Sequence, residues 1–337
     1  MKKIYFIGEV SGNHENSLEK TIKLMKGLKE IGASAVKFQT FKPSRMAPNL
    51  KNKDTIVKNI NSPWNGKSLH EIYKRTQFPI GWYEKVFSYG KKIKLDVFSS
   101  PFSVEDVNFL EKFNCKFYKV ASLENTNQEL LTRLAKTKKK IIISTGTASK
   151  NELKKSFHTL KKNGAKDIVF LKCITDYPAK IEDYNLQTLN DIKKSFNCEV
   201  GLSDHTLGNT LAVSSIHYGC QYIEKHICLK RKKKGIDSFY STEISEFKHL
   251  IKECNLALKS IGKINYGSTI AEKSAKKRRR ILYFNLDMRK GERINYNSLV
   301  ALRGGQGVNM NLKKIFIGKK LKIDVKKNIK FKKSFIA

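Results

Sequence analysis

Eight short apolar runs, separated by segments with helical spacing, fill about the first 260 residues of the chain, and this alternation limits the folds open to it. The runs cover residues 4–8, 35–40, 95–99, 117–121, 141–144, 168–173, 200–203 and 222–225. Between them, segments such as 17–31 and 151–162 carry apolar residues three or four apart, which is typical of amphipathic helices. The count and the length predict a parallel (β/α)8 TIM barrel. An open doubly wound sheet is the alternative, but its glycine-rich G-x-G-x-x-G turn after the first strand is absent.

Polar side chains gather at the predicted C-terminal ends of the strands, where such a barrel carries its chemistry. Glu9 ends the first strand, and Lys37 and Gln39 lie two apart on one face of the second. A lysine that points into a barrel is costly unless it is paired, so an anionic ligand is its natural partner. Later strand ends carry Ser100, Lys119, Ser122, Ser144, Thr175 and Tyr177. Hydroxyls and two lysines at one mouth suit a phosphate with a carboxylate beside it, although any single Ser or Thr also fits a helix cap.

Two histidines, His205 and His226, each follow an apolar run, and one helix-length segment separates them. In a strand-helix-strand unit both imidazoles reach the C-terminal ends of neighbouring parallel strands. Two neutral imidazoles with open coordination positions suit a catalytic divalent metal better than a structural one. Two solvent-facing strand ends would explain either histidine alone, but they do not explain the matched placement.

Composition narrows the class of protein. The chain has 67 Lys and Arg against 30 Asp and Glu, but the lysines are spread over almost every segment, so we expect no nucleic-acid partner. A basic nucleic-acid-binding protein is the alternative, and it would require a steeply salt-dependent affinity for DNA or RNA. No apolar stretch has the length of a membrane span, so we expect no membrane association. Six cysteines without a Cys-x-x-Cys pair indicate buried reduced thiols. Polar residues from Glu9 to Glu15 interrupt the N-terminal apolar run too early for a signal peptide, so we expect a cytoplasmic protein.

The C-terminal part of the chain has a different pattern. Residues 281–284, 299–307 and 315–318 are short apolar pieces separated by turns. We therefore predict a catalytic barrel over 1–265, a basic linker over 266–280 and a small domain over 281–337. About sixty residues make a marginal core, which favours docking or oligomerisation. Arg303, before a glycine-rich turn, is either simply exposed or presented to another surface.

Several motifs together are specific to one family. They are 13–15 (NHE), 37–40 (KFQT), 100–102 (SPF), 118–122 (YKVAS), 144–146 (STG), 177–178 (YP), 201–206 (GLSDHT), 224–226 (EKH) and 302–304 (LRG). On these motifs the chain resembles, over essentially its whole length, the sialic acid synthases. Members of that family condense phosphoenolpyruvate with an acylamino sugar and carry a C-terminal antifreeze-like (SAF) domain.

The resemblance implies a role for each matching residue. It implies that His205 and His226 bind a divalent metal, Mn²⁺ or Mg²⁺. Phosphoenolpyruvate-binding positions are matched by Lys37, Ser100, Lys119, Ser122, Ser144, Thr175 and Ser203. Sugar-site positions are matched by Gln39, Tyr177, Asp237 and Arg303, and acidic positions implicated in catalysis by Glu9 and Glu124. The resemblance also implies a domain-swapped homodimer in which Arg303 enters the partner's active site.

Three residues depart from the family pattern. Ser100 stands where threonine is frequent, and Thr175 stands where serine or asparagine is usual, so both positions keep a polar group. Gly304 stands where the family often has proline, and we expect it to loosen the turn that aims Arg303.

Within the family, residues 98–102, 103–107, 171–173 and 237–238 look most similar to pseudaminic acid synthases. This similarity implies condensation of phosphoenolpyruvate with 2,4-diacetamido-2,4,6-trideoxy-L-altrose. One alternative is a neuraminate or legionaminate synthase that uses N-acetylmannosamine or a related sugar. Another is a different phosphoenolpyruvate-dependent synthase or aldolase on the same barrel, in which Lys119 would be placed to form a Schiff base.

Overall fold

The computed structural model describes residues 3–60 and 62–337, and the chain divides into two compact units. The first unit ends at Gly262 and the second runs from Lys263 to Ala337. The basic segment 266–280 therefore belongs to the second unit. In the part of the chain that the structure describes, no helix combines the length and the apolar character that crossing a membrane requires.

The first unit is a closed parallel barrel, as the alternating pattern predicts. Its strands are β1 (Tyr5–Glu9), β2 (Ala35–Thr40), β3 (Asp96–Pro101), β4 (Phe117–Val120), β5 (Lys140–Ser144), β6 (Ile168–Cys173), β7 (Glu199–Asp204) and β8 (Tyr222–Cys228). Neighbours in the chain are neighbours in the sheet, and β1 also pairs with β8, which closes the barrel. Both faces of the strands are almost fully buried, so the strands read as continuous apolar runs.

Helices fill the connections between the strands. They are α1 (Leu18–Glu30), α2 (Pro43–Met46), α3 (Leu69–Thr76), α4 (Tyr83–Ile93), α5 (Val104–Leu110), α6 (Gln128–Lys136), α7 (Lys150–Lys162), α8 (Thr188–Phe196), α9 (Thr210–Ser215) and α10 (Ile244–Ile261). The predicted helices at 17–31 and 151–162 are confirmed as α1 and α7. Ser17 caps α1 by accepting a hydrogen bond from the Lys20 amide, and a Ser149–Glu152 capping box begins α7.

Strand register carries polar side chains to one end of the barrel. Glu9 is the Cα partner of Lys37 on β2 and of His226 on β8. On β7 and β8, Ser203 is opposite Glu224. β8 runs to Cys228, beyond the predicted end at 225, because its last two residues pair with the short strand β9 (Thr242–Glu243).

The second unit is built around an antiparallel ribbon. It contains α11 (Glu272–Lys276), β10 (Arg280–Phe284), β11 (Leu299–Arg303) and α12 (Lys313–Phe316). Its separate apolar core includes Leu282, Phe284, Ile294, Leu299 and Phe331.

The turn after β11 is joined to β10 by a side-chain hydrogen bond, and the looser turn expected from Gly304 stays a prediction. The Tyr283 hydroxyl donates a hydrogen bond to the Gly304 carbonyl at 3.1 Å. A Cβ atom at Gly304 would lie 1.6 Å from that hydroxyl. While Tyr283 keeps this position, only glycine fits beneath its hydroxyl.

Candidate active site

Two lysines and two glutamates are buried together at the C-terminal end of the barrel. Lys37 Nζ lies 2.9 Å from Glu9 Oε2 and 2.9 Å from Glu224 Oε1. Lys119 Nζ lies 4.0 Å from the same Glu224 oxygen, which also accepts a hydrogen bond from Ser203 at 3.2 Å. Glu224 therefore joins the two lysines, and we call Glu9, Lys37, Lys119 and Glu224 the lysine–glutamate cluster.

Burial and pairing shift the acidities of this cluster in different directions. Burial raises the pKa of Glu9 to about 7, although Lys37 lowers it. Burial also acts to raise the pKa of Glu224, but Lys37 and Lys119 outweigh it and hold the pKa below its usual value. Burial lowers the pKa of Lys37, but Glu224 and Glu9 raise it above its usual value. Desolvation lowers the pKa of Lys119 to about 8, because its carboxylate neighbour is farther away.

Hydroxyl groups surround the Lys119 side of the cluster. Lys119 Nζ donates to Ser144 Oγ at 2.6 Å and to the backbone carbonyl of Val120 at 3.0 Å. Asn125 Nδ2 donates to the carbonyls of Ser144 and Gly146, both at 3.1 Å, and so ties the loops after β4 and β5 together. The predicted positions of Lys119 and Ser144 are thus joined directly.

Three predicted phosphoenolpyruvate-binding residues present buried hydroxyl oxygens that have no hydrogen-bond partner within residues 3–60 and 62–337. They are Ser100, Ser122 and Thr175. A Cβ atom at Gly146 would lie 2.5 Å from both Ser122 Oγ and Thr175 Oγ1, so these two hydroxyls face the same glycine. Buried hydroxyls normally have partners, and donors on a small backbone cradle suit an anion.

The two histidines lie side by side, as their strand-end positions predict. The ring centroids of His205 and His226 are 5.3 Å apart. His205 Nδ1 is 2.7 Å from the Ile174 carbonyl, and His226 Nδ1 is 3.3 Å from the Tyr240 hydroxyl. Burial lowers the pKa of His205 to about 4, and burial together with His205 puts the pKa of His226 well below its usual value. Both rings are therefore neutral at pH 7, the form that binds metals.

Aromatic rings and one carboxylate border the histidines. The Tyr177 ring lies 4.4 Å from His205 and 4.9 Å from Tyr240, centroid to centroid. Asp237 is buried, and its Oδ2 accepts a hydrogen bond from the Gly12 amide at 2.7 Å. Burial raises the pKa of Asp237.

The remaining predicted residues are distributed unevenly. Gln39 Nε2 donates to Glu9 Oε1 at 3.0 Å, so Gln39 belongs with the cluster. Glu124 is half-buried in the turn after β4, and its hydrogen bond comes from Asn127 at 3.1 Å. None of the hydrogen bonds or ion pairs in the described ranges joins Glu124 to the cluster. Arg303 is exposed at the end of β11 in the second unit.

Two important residues escaped the sequence reasoning. Glu224 lies two residues before His226, so strand alternation places both on the same face, and this signal was available. Tyr240 carried no comparable signal. It lies fourteen residues after His226, beyond an irregular loop, and no sequence pattern predicts that the two side chains meet.

Beside these residues, a cleft of about 840 Å³ lies among the loops that follow β1, β2 and β8. Its lining includes Asn13, Lys74, Arg75, Lys232 and Ser238. No member of the lysine–glutamate cluster lines it, so the cleft is not the reaction centre that the buried charges define.

The sequence and the fold are matched by a known family. Residues 24–266 match the model of the NeuB family. The chain belongs to the NeuB family. A pseudaminic acid synthase of Campylobacter jejuni subsp. jejuni serotype O:2 is 36% identical to it, over 96% of this chain and 94% of that protein. An N,N'-diacetyllegionaminic acid synthase of the same organism is 31% identical, over 95% of this chain and 96% of that protein.

The fold of this NeuB-family chain also has a solved counterpart. The crystal structure of an N-acetylneuraminic acid (sialic acid) synthetase from Leptospira borgpetersenii superposes with a TM-score of 0.72 at 24% identity. The match covers 82% of this chain and 90% of that one. The resemblance to sialic acid synthases and the barrel prediction are both confirmed.

Proposed function

We propose that this NeuB-family chain is a pseudaminic acid synthase, a transferase. It condenses phosphoenolpyruvate with 2,4-diacetamido-2,4,6-trideoxy-L-altrose to give a nine-carbon nonulosonic acid and phosphate. The observation that carries the proposal is the pair of buried lysines, Lys37 and Lys119, beside two neutral histidines. The 36% identity to a pseudaminic acid synthase over nearly the whole chain supports this acceptor sugar.

Phosphoenolpyruvate carries a phosphate and a carboxylate, and the site offers donors for both. Lys37 and Lys119 supply the cations, and Ser100, Ser122, Ser144, Thr175 and Ser203 supply hydroxyl groups. Each charge-assisted contact contributes about 1.5 to 3 kcal/mol. Changing either lysine to methionine should therefore raise the KM for phosphoenolpyruvate by about one to two orders of magnitude. A change in the sugar KM alone would contradict this assignment.

The histidine pair fits a divalent cation. His205 Nδ1 faces a carbonyl oxygen, which only accepts, so this nitrogen carries the proton and Nε2 keeps its lone pair. Two neutral imidazoles would hold Mn²⁺ or Mg²⁺ and leave its other positions to water and substrate. Imidazole nitrogen favours Mn²⁺ over Mg²⁺, which prefers oxygen ligands. Bound there, the metal supplies Lewis-acid polarisation of the sugar's aldehyde oxygen.

In the reaction we propose, C3 of phosphoenolpyruvate attacks the aldehyde carbon of the open-chain sugar. Water adds at C2, and the resulting tetrahedral centre expels phosphate by breaking its C2–O bond. Glu9, whose pKa is raised to about 7 by burial, is suited either to carry the proton or to stabilise positive charge at C2. Glu124 remains a second catalytic candidate, and Glu124→Gln tests it.

The sugar contacts are proposed for Gln39, Tyr177, Asp237 and Arg303. Arg303 would act from a partner subunit in a domain-swapped homodimer. A cytoplasmic location is proposed from the six cysteines, which are all free thiols, five of them buried and Cys198 half-buried.

The decisive measurement is phosphate release from phosphoenolpyruvate with a panel of acylamino sugars. Turnover should be fastest with the diacetamido-altrose, should stop on chelation and should return with Mn²⁺. His205→Ala and His226→Ala should each abolish turnover. Full activity of the metal-stripped enzyme would refute the metal site, and a preference for N-acetylmannosamine or a legionaminate precursor would change the substrate.

The lowered pKa of Lys119 favours one competing chemistry, a lyase that forms a Schiff base with pyruvate. Borohydride reduction in the presence of pyruvate distinguishes the two. A covalent adduct at Lys119 would support the lyase, and recovery of unmodified protein supports the synthase.

A further inference from the structure

Tyr240 lies between a proposed metal ligand and a proposed sugar-binding carboxylate. Its side chain is 3% exposed, and its hydroxyl is 3.3 Å from His226 Nδ1. Asp237 is buried three residues before Tyr240, close enough for its carboxylate to act electrostatically on that hydroxyl. Asp237 accepts a hydrogen bond from the Gly12 amide. The Tyr240 hydroxyl therefore lies between the imidazole and a carboxylate that the backbone after β1 holds.

The carboxylate sets the direction of the contact between Tyr240 and His226. The negative charge of an ionised carboxylate attracts the hydroxyl hydrogen, so the Tyr240 hydroxyl turns its hydrogen towards Asp237. The hydroxyl oxygen then has a lone pair for His226, whose Nδ1 must donate. This direction places the proton of the neutral ring on Nδ1 and leaves Nε2 free as a ligand. The opposite direction would put the proton on Nε2.

We propose that Tyr240 is a positioning residue that, through Asp237, fixes the tautomer and orientation of His226 for the divalent cation. This inference rests on the proposed function. His205 achieves the same state through the backbone carbonyl of Ile174, which no substitution removes. The two ligands therefore differ: the tautomer of His226 depends on a side-chain hydroxyl that Tyr240→Phe deletes.

Tyr240 also links two sites. Asp237 is proposed to bind the sugar, so the sugar site and the metal site meet at the Tyr240 hydroxyl. A ligand that draws on Asp237 will change the metal affinity, and the metal will change that ligand's affinity by the same factor.

The first test reads the tautomer without any metal. Nitrogen NMR of the full chain with labelled histidine, assigned with His226→Gln, should show the Nδ1–H form of His226. In Tyr240→Phe that resonance should move toward a mixture of the two tautomers. An unchanged tautomer in a folded Tyr240→Phe protein would overturn the proposal.

The second test measures Mn²⁺ binding by the electron paramagnetic resonance signal of the free ion. Tyr240→Phe should raise the Kd for Mn²⁺ about tenfold, the lower end for loss of a partner of a metal ligand. Tyr222→Phe is the matched control, because Tyr222 is on the same strand, β8, and its hydroxyl bonds to Lys140 and Glu199 at the opposite end. Its Kd should stay at the wild-type value.

The outcomes separate this proposal from the one on which it rests. Equal Kd values for wild type and Tyr240→Phe, or equal weakening in both tyrosine variants, would overturn the role of Tyr240. Absence of Mn²⁺ binding by the wild type would count against the proposed function, while the tautomer measurement still decides for Tyr240. If Tyr240→Phe does not fold, Asp237→Asn should weaken Mn²⁺ binding in the same way, and an unchanged Kd there would overturn the proposal.

Discussion

At the scale of single residues, the surroundings control the charge of Lys119 more than that of Lys37. Lys37 touches two carboxylates at 2.9 Å, whereas the described part of the chain supplies Lys119 with a single carboxylate, at 4.0 Å. Both side chains are almost fully buried, so desolvation acts on both. The carboxylates outweigh desolvation at Lys37, so its pKa is raised and it stays a cation. At Lys119 desolvation is stronger and lowers the pKa to about 8, so this lysine titrates near neutral pH.

The pH profile should reveal this difference. Lys119 is a cation below its pKa of about 8 and neutral above it, so anion binding is lost as the pH rises. We expect kcat/KM for phosphoenolpyruvate to fall roughly tenfold between pH 7 and 9, following the fraction of cation. The Lys119→Met variant should have a low kcat/KM for phosphoenolpyruvate that does not fall between pH 7 and 9. A wild-type profile that stays flat to pH 9 would contradict the assignment.

Phosphoenolpyruvate binding should require a residue without a side chain at position 146. Because an added Cβ atom would lie 2.5 Å from both Ser122 Oγ and Thr175 Oγ1, Gly146→Ala must displace these hydroxyls. Loss of one or two hydrogen bonds to an anion predicts a rise in the phosphoenolpyruvate KM of about tenfold or more. Gly81→Ala is the control, since no atom lies within 4 Å of its added Cβ. Equal KM values in the two variants, with equal thermal melting, would exclude this role.

Sequence reasoning predicted which side chains meet but not what pairs them. Strand-end position was enough to bring Lys37, Ser144 and the histidines to one mouth. It did not show that Glu224 pairs with both lysines, because the sequence around a polar residue in an apolar strand does not indicate which residues it will contact. Such pairings depend on register between strands that are distant in the chain, as with Glu224 and Lys37, 187 residues apart.

At the scale of secondary-structure elements, a buried ion pair joins the ends of β7 and β8 on the face opposite the histidines. Lys225 Nζ donates to Asp204 Oδ2 at 2.8 Å and to the Thr206 carbonyl at 2.7 Å. Asp204 Oδ1 accepts from the Thr206 amide at 2.8 Å and from its hydroxyl at 2.7 Å. Alternation along each strand places this pair outside and His205 and His226 inside. The pair therefore holds the two strand ends that carry the histidines.

Breaking this pair should be costly. Lys225→Met leaves the charge of Asp204 buried without its cation, which typically costs about 3 to 5 kcal/mol in the free energy of unfolding. Urea denaturation measures the change. Lys150→Met, which breaks an exposed pair with Asp191, should leave the urea midpoint almost unchanged. Equal midpoints for both variants would show that the buried pair does not stabilise the barrel.

Element positions were the most predictable part of the fold. Long periodic segments gave α1, α7, β2 and β6 to within a residue, because an apolar stripe and a buried strand leave clear patterns. The end of β8 was not predictable, because its extension depends on pairing with β9, which follows a thirteen-residue loop. Pairing of that kind is a tertiary property and has no local pattern.

At the scale of the whole molecule, the two units differ in the size of their hydrophobic cores. The barrel has a large continuous core, whereas the second unit relies on a small cluster around Phe284 and Phe331. A core of that size gains from docking on another surface, and a partner subunit is the surface we propose.

Mixing two inactive chains tests this arrangement. Arg303→Ala removes the guanidinium, and His205→Ala removes a metal ligand from the barrel. If Arg303 acts across subunits, one of the two sites in the mixed dimer has both an intact barrel and an intact arginine. Phosphate release should then recover after subunit exchange. No recovery, with exchange shown by labelled subunits, would mean that Arg303 does not serve the partner.

The contact between Tyr283 and Gly304 has a consequence for the history of the family. A proline or any other side chain at position 304 would collide with the tyrosine hydroxyl where it lies now, so glycine is required at 304 only while Tyr283 is present. Tyr283 can be replaced first without a clash, which gives a change from glycine to proline a fixed order. Relatives with proline at the position of Gly304 should lack a tyrosine at the position of Tyr283, whereas glycine without that tyrosine should occur freely.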